Sequence, residues 1–208
     1  MVDHYFSRQP EITSNPIYWD TTLRNHLLHF KTDQGVFSKK EVDFGSRFLI
    51  ETFQTPMEGM VLDIGCGYGP IGLTLAKEYP DRQIHMVDIN QRALELAKEN
   101  AEINEVHNVN IYESDGLSNV KEASFAAILT NPPIRAGKQI VHRILEDSFQ
   151  HLKVDGELWV VIQKKQGAPS AKAKLEELFH HVEIPPCGNP SEKKRVLYFE
   201  SKKMIDLY

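Results

Sequence analysis

Cysteine is scarce in this sequence: Cys66 and Cys187 are its only two. That is too few for a disulfide framework, and neither sits in a CxxC or Cys/His spacing that holds zinc. Both are expected as reduced thiols. Nine histidines are present, but His142, His151 and the adjacent His180-His181 also lack a ligand spacing, so no metal is expected. Long apolar runs are missing as well. Nothing approaches the roughly 18 residues of a membrane span, and Met1-Val2-Asp3-His4-Tyr5 has neither the basic region nor the apolar core of a secretion signal. A cytoplasmic protein with no membrane partner is the expectation. Positive charge is not in excess: 24 lysines and arginines face 29 acids, which excludes a chain that coats nucleic acid indiscriminately. A local basic face stays compatible with that total, because Lys164-Lys165, Lys193-Lys194-Arg195 and Lys202-Lys203 gather in the last quarter.

What is present suffices for one α/β domain with a short extension, because 208 residues can bury a full core but not two. Residues 1–40 read as the extension and 41–208 as the domain. In the extension, Pro10 and Pro16 punctuate the chain. Tyr18 to Leu23 and His26 to Phe30 are strand-like, with Arg24-Asn25 between them, as in a hairpin. Phe44, Phe48, Leu49 and Phe53 then recur at helical spacing until Pro56.

From Met60 the pattern alternates: strands at Met60 to Ile64, Ile84 to Asp88, Val109 to Glu113, Phe125 to Thr130 and Glu157 to Ile162, with helices at Pro70 to Glu78, Gln91 to Ile103, near Ile140 to His151 and near Ala171 to Phe179. This is the rhythm of a parallel sheet covered by helices. Its ending differs. Val182 to Pro185 and Arg195 to Glu200 have only Pro186, Gly188 and Pro190 between them, too short a link for parallel neighbours, so these strands should pair antiparallel.

The first strand runs into Gly65-Cys66-Gly67-Tyr68-Gly69-Pro70, where glycines let backbone N–H groups approach a ligand. Gly67-x-Gly69-x-x-Gly72 also satisfies a dinucleotide fingerprint, so the glycines alone leave the ligand open. Asp63 narrows it. A carboxylate at the strand end would repel a diphosphate but suits a ligand carrying a positive amine and sulfonium. Asp88 ends the second strand about 20 residues past the glycines, where an acid accepts from both hydroxyls of an adenosine ribose. Asp115, in Ser114-Asp115-Gly116 after the third strand, can accept from an adenine amino group, with Gly116 permitting the turn.

Thr130-Asn131-Pro132-Pro133-Ile134 follows the fourth strand, and its two prolines hold Asn131 and Pro132 extended. Rigidity there fixes two acceptors, the Asn131 side-chain oxygen and the Pro132 carbonyl. Together they suit the two hydrogens of a planar exocyclic amine, aiming its lone pair at an electrophilic methyl without a strong general base.

These segments resemble the class I methyltransferases, and within them the small methyltransferase domain group, which includes 16S ribosomal RNA guanine-N2 methyltransferases. Gly35-Val36-Phe37-Ser38 followed by Asp43-Phe44-Gly45-Ser46 is similar to that group's lead-in and is the more discriminating match. The resemblance covers nearly the whole chain. It implies a Rossmann-like sheet of seven strands in the order 3-2-1-4-5-7-6 with the last antiparallel, S-adenosylmethionine as cofactor, and small-subunit ribosomal RNA as partner. Cofactor binding then falls to Asp63, Gly65, Gly67, Asp88 and Asp115, joined by their neighbours Cys66, Ile89 and Gly116 and by Asn131. Amine recognition falls to Asn131, with Pro132, Pro133 and Ile134 completing the reaction site. Family members often carry an aromatic ring after the prolines, where this chain has Ile134. Relatives also join two such domains, where this chain has one, so RNA contact is open between the hairpin, the basic tail and a second subunit of a homodimer.

Other readings remain. The same chemistry serves protein glutamine amides and DNA adenine. A nicotinamide oxidoreductase would leave Asp63 and the Asn-Pro-Pro segment without a role. A cofactor- or RNA-binding module without catalysis would keep the fold and lose the activity.

Overall fold

A computed structural model describes residues 12–54, 57–163, 165, 167–184 and 196–202, the last stretch by its backbone only. Expectations placed on Pro10, Pro56, Lys164, Pro185, Pro186, Cys187, Gly188, Pro190, Lys193-Lys194-Arg195 and Lys203 lie outside those residues.

The hairpin is β1 (Ile17–Leu23) against β2 (His26–Thr32), paired antiparallel with Leu23 opposite His26. Arg24 and Asn25 between them both take positive φ, 47° and 64°, the backbone of a two-residue turn whose twist matches that of the strands. Among the described residues, the second edge of β2 is covered by side chains rather than by a strand. Asn104 accepts from the His29 N–H and donates to the His29 carbonyl, while Asn100 does the same for Lys31, at 2.7 to 3.0 Å. Their spacing of four puts both asparagines on one helical face, matching alternate residues of the strand. Asn100 also donates to the Tyr68 carbonyl, joining the hairpin to the glycine-rich loop.

Helix α1 (Phe44–Thr52) starts at Asp43, whose carboxylate accepts from the Gly45 and Ser46 N–H groups. The sheet then follows: β3 (Val61–Ile64), α2 (Pro70–Glu78), β4 (Ile84–Asp88), α3 (Gln91–Ile103), β5 (Val109–Glu113) and β6 (Phe125–Thr130). After a single 3-10 turn at Ile134–Ala136 come α4 (Lys138–His151), β7 (Leu152–Gln163), α5 (Ala168–Leu178), β8 (His181–Glu183) and β9 (Val196–Lys202). The strand order is β5-β4-β3-β6-β7-β9-β8, with β9 antiparallel to both neighbours. Counted from β3, that is 3-2-1-4-5-7-6, as the resemblance implies. β7 begins five residues earlier than expected, at Leu152. Asp155 with φ 60° and Gly156 make an irregularity that reads as a turn in sequence but stays within the strand.

Alternation along the strands sends Val61, Met86, Leu129 and Trp159 to one face, packed with α1, α2, α3 and the hairpin residues Leu23, Leu28 and Phe30. Leu62, Val87, Ile128 and Val160 go to the other face against α4 and α5. Both faces are covered, which is why the central strands β3 and β6 are buried at every residue. Among the described residues, no helix is long and apolar enough to cross a membrane.

Candidate active site

A cavity opens beyond the carboxyl ends of β3, β4, β5 and β6, where ligands of open α/β sheets bind. Gly65 and Gly67 line it with φ of 73° and 58°, and a Cβ built on either would meet nothing within 4 Å among the described residues. These two glycines therefore serve backbone shape and an open approach, whereas Gly72 serves packing. A Cβ there would fall 2.6 Å from Met86 Cγ, so α2 can lie this close to β4 only without a side chain.

Asp88 fixes the loop: its Oδ2 accepts from the Gly67 N–H and its Oδ1 from the Asn90 N–H, both under 3 Å. Burial raises its pKa above the ordinary carboxylate range, opposed by those hydrogen bonds. Ile89, Cys66, Asp115 and Gly116 also line the cavity. Asp115 reaches it with Oδ1 engaged by Arg143 at 2.6 Å.

Asp63 is placed differently. It lies fully buried behind the loop and outside the cavity lining, with Oδ2 accepting from the Gly72 N–H at 2.9 Å. Its Oδ1 is buried with no hydrogen-bond partner among the described residues. Burial pushes this carboxyl up to about 7, against the Gly72 hydrogen bond and with Asp88 adding to the rise. Asp63 thus acts on the loop from beneath.

Asn131 and Pro133 line the same cavity, Pro132 is buried beside them, and Ile134 faces a neighbouring hollow. The Asn131 amide is clamped. Its Nδ2 donates to Asp43 Oδ1 at 3.2 Å, Asp43 Oδ2 at 3.4 Å and Ser46 Oγ at 3.1 Å. With the amino end facing acceptors, Oδ1 is left as the acceptor end at the cavity, and it has no protein partner among the described residues. Gly45 leaves room for the Asp43 end of this clamp, since a Cβ there would lie 3.2 Å from Asp43 Oδ1. The roles of Asp43 and Ser46 were not visible in sequence: an aspartate before a helix signals a cap, but nothing links it to an asparagine 88 positions away.

Val36, Phe37 and Ser38 close one side of the cavity. Their segment is held across the glycine loop by Asn90 Nδ2 donating to the Gly35 carbonyl, and by the Tyr68 hydroxyl shared between the Ser38 and Glu41 carbonyls. Among the described residues, no cluster of three or more metal-ligating side chains occurs.

The sheet order, the antiparallel last strand and a cavity at the ends of β3 to β6 define a Rossmann-like methyltransferase fold. A solved structure described as T. thermophilus 16S rRNA N2 G1207 methyltransferase (RsmC) in complex with AdoMet and guanosine shares that fold with a TM-score of 0.79 at 22% identity, over 93% of this chain and 52% of that one. The family model for the methyltransferase small domain matches residues 27–189, and the chain belongs to that family. An uncharacterized protein of Bacillus subtilis, YbxB, is 57% identical over 99% of this chain and 100% of its own. Ribosomal RNA small subunit methyltransferase C of Vibrio cholerae is 34% identical over 80% of this chain and 48% of its own length. The chain therefore spans about half of such relatives.

Proposed function

We propose that this chain transfers a methyl group from S-adenosylmethionine to the N2 amino group of a guanine in small-subunit ribosomal RNA. The observation that carries the chemistry is the clamped Asn131 amide, which presents a fixed oxygen at the cavity. The relatives named as small-subunit methyltransferases support the substrate class.

The residues fit the cofactor: the Gly65 and Gly67 cradle has open space where side chains would stand, and carboxylates rim it. We assign its ribose to Asp88, its adenine to Asp115 with Ile89 and Gly116 beside it, and its methionine part to Gly65, Cys66 and Gly67. When bound, the cofactor supplies an electrophilic methyl on a positively charged sulfur. Asn131 Oδ1 and the Pro132 carbonyl accept the two N–H bonds of the guanine amine. Pro132 and Pro133 keep both acceptors in place, so no reorganisation is needed as positive charge grows on the nitrogen. The amine nitrogen forms the new bond to carbon while the carbon–sulfur bond breaks, and the surplus proton leaves along the Asn131 or Pro132 hydrogen bond to water.

The test is transfer of labelled methyl from S-adenosylmethionine into small ribosomal subunits from cells lacking this protein, followed by nucleoside analysis. Label in N2-methylguanosine is expected. Label that resists nuclease and yields to protease would move the substrate to a protein amide, and cofactor binding without transfer to subunits, naked RNA or protein would make the chain a binding module.

A further inference from the structure

We propose that the loops following β6 and β7 form the track on which single-stranded RNA lies next to the methylated base; this rests on the RNA reading above. From Asn131 to Leu145 and from Leu158 to Leu175 the sequence contains no acidic residue, in a chain whose net charge is −5. The first begins just past the carboxyl end of β6 and the second within β7, its neighbour in the sheet, and they run into α4 and α5. Several of their cations are committed: Arg143 to Asp115, Lys172 to Glu176, and Lys174 to Glu146 and Glu177. Arg135, Lys138 and Lys165 are exposed and make no ion pair or hydrogen bond among the described residues. Three uncommitted cations gathered by one edge of a net-negative protein fit a polyanion.

A hollow of about 270 Å³ lies between these loops. Ile134 and Val141 give it an apolar floor, Gly167 keeps its rim low, and Lys138 stands at its edge. His142 Nε2 and Ser170 Oγ, 3.0 Å apart, tie the α4 side to the α5 side. Pro133 lines the main cavity and its neighbour Ile134 lines this hollow, so a base in one and the adjoining base in the other would be separated by a single residue of protein. The main cavity is also lined by Asp43 and Asp88, whose carboxylates repel phosphates. A strand entering the site therefore runs out over the positive loops, with a flanking base in the apolar hollow and its phosphates at Arg135, Lys138 and Lys165.

The experiment uses the full chain and a fluorescein-labelled single-stranded oligoribonucleotide with a central guanine, read by anisotropy across a salt series, with cofactor affinity by calorimetry in parallel. The variant Arg135→Ala/Lys138→Ala/Lys165→Ala is expected to bind the strand at least about tenfold more weakly, with a log–log salt slope shallower by about 2, and to keep the parent's affinity for S-adenosylmethionine. Ser170→Phe, which fills the hollow without changing charge, should weaken binding with the slope unchanged. If the parent methylates RNA and both variants bind it as the parent does, this track is overturned and the function stands. If the parent binds S-adenosylmethionine but neither binds nor methylates RNA, the functional reading fails and the track with it. Equal parental affinity for a duplex of the same length would overturn the hollow as a base site.

Discussion

At Asn131 the decisive property is orientation. An asparagine amide has a donor end and an acceptor end, and Asp43 with Ser46 settles which one faces the cavity. Asn131→Ala should leave cofactor affinity nearly intact while turnover falls at least about tenfold, because the lost acceptor acts mainly in the transition state. Asp43→Ser keeps a good helix cap but withdraws the carboxylate from Asn131. It should therefore preserve the melting temperature while lowering turnover by about tenfold; loss of stability with unchanged turnover would confine Asp43 to the cap. Asp63 gives a prediction in pH. Its buried carboxyl titrates near 7 in the fold and near 4 in the unfolded chain, so the folded state holds the proton more tightly. Stability from this group is present below about 4 and is lost as pH rises through about 7. Asp63→Asn retains an acceptor for Gly72 and cannot ionise. Without ligand, its melting temperature should gain on the parent's from pH 4 to 7 and hold that gain above 7.

Among the elements, those with a strong period were legible and those shaped by distant partners were not. Pro70–Glu78, Ile84–Asp88, Gln91–Ile103, Val109–Glu113 and Phe125–Thr130 all appear where periodicity and turn residues place them. β7 starts early because the Asp155-Gly156 turn signal is overridden by pairing with β6 on both sides of it. The cavity was legible as a line of glycines and strand-end acids, each marked by local sequence. Asp63 beneath the loop, the Asp43 clamp and the Tyr68 and Asn90 ties across it depend on residues brought together only by the fold. Helix α2 carries its own prediction. Gly72→Ala should cost about 1–3 kcal/mol through the clash with Met86, and less in a Met86→Ala background, which a double-mutant cycle by denaturant unfolding would measure.

For the whole molecule, we propose that the division at residues 40 and 41 is one of chain order alone, and we expect no thermodynamic boundary there. Leu23, Leu28 and Phe30 share one continuous core with Tyr68, Ile71 and Leu73, and Asn100 binds strand and loop at once. Calorimetry should show a single transition, whereas two would make the hairpin an independent unit. The uneven placement of charge has a kinetic side. A body of net charge −5 with Arg135, Lys138 and Lys165 uncommitted at one edge has a dipole, and a polyanion would be repelled by most of its surface while drawing that edge forward. Such a molecule is turned before it touches, so its productive encounters are selected by orientation at long range. Added salt, by shortening that range, would slow arrival more than it hastens departure.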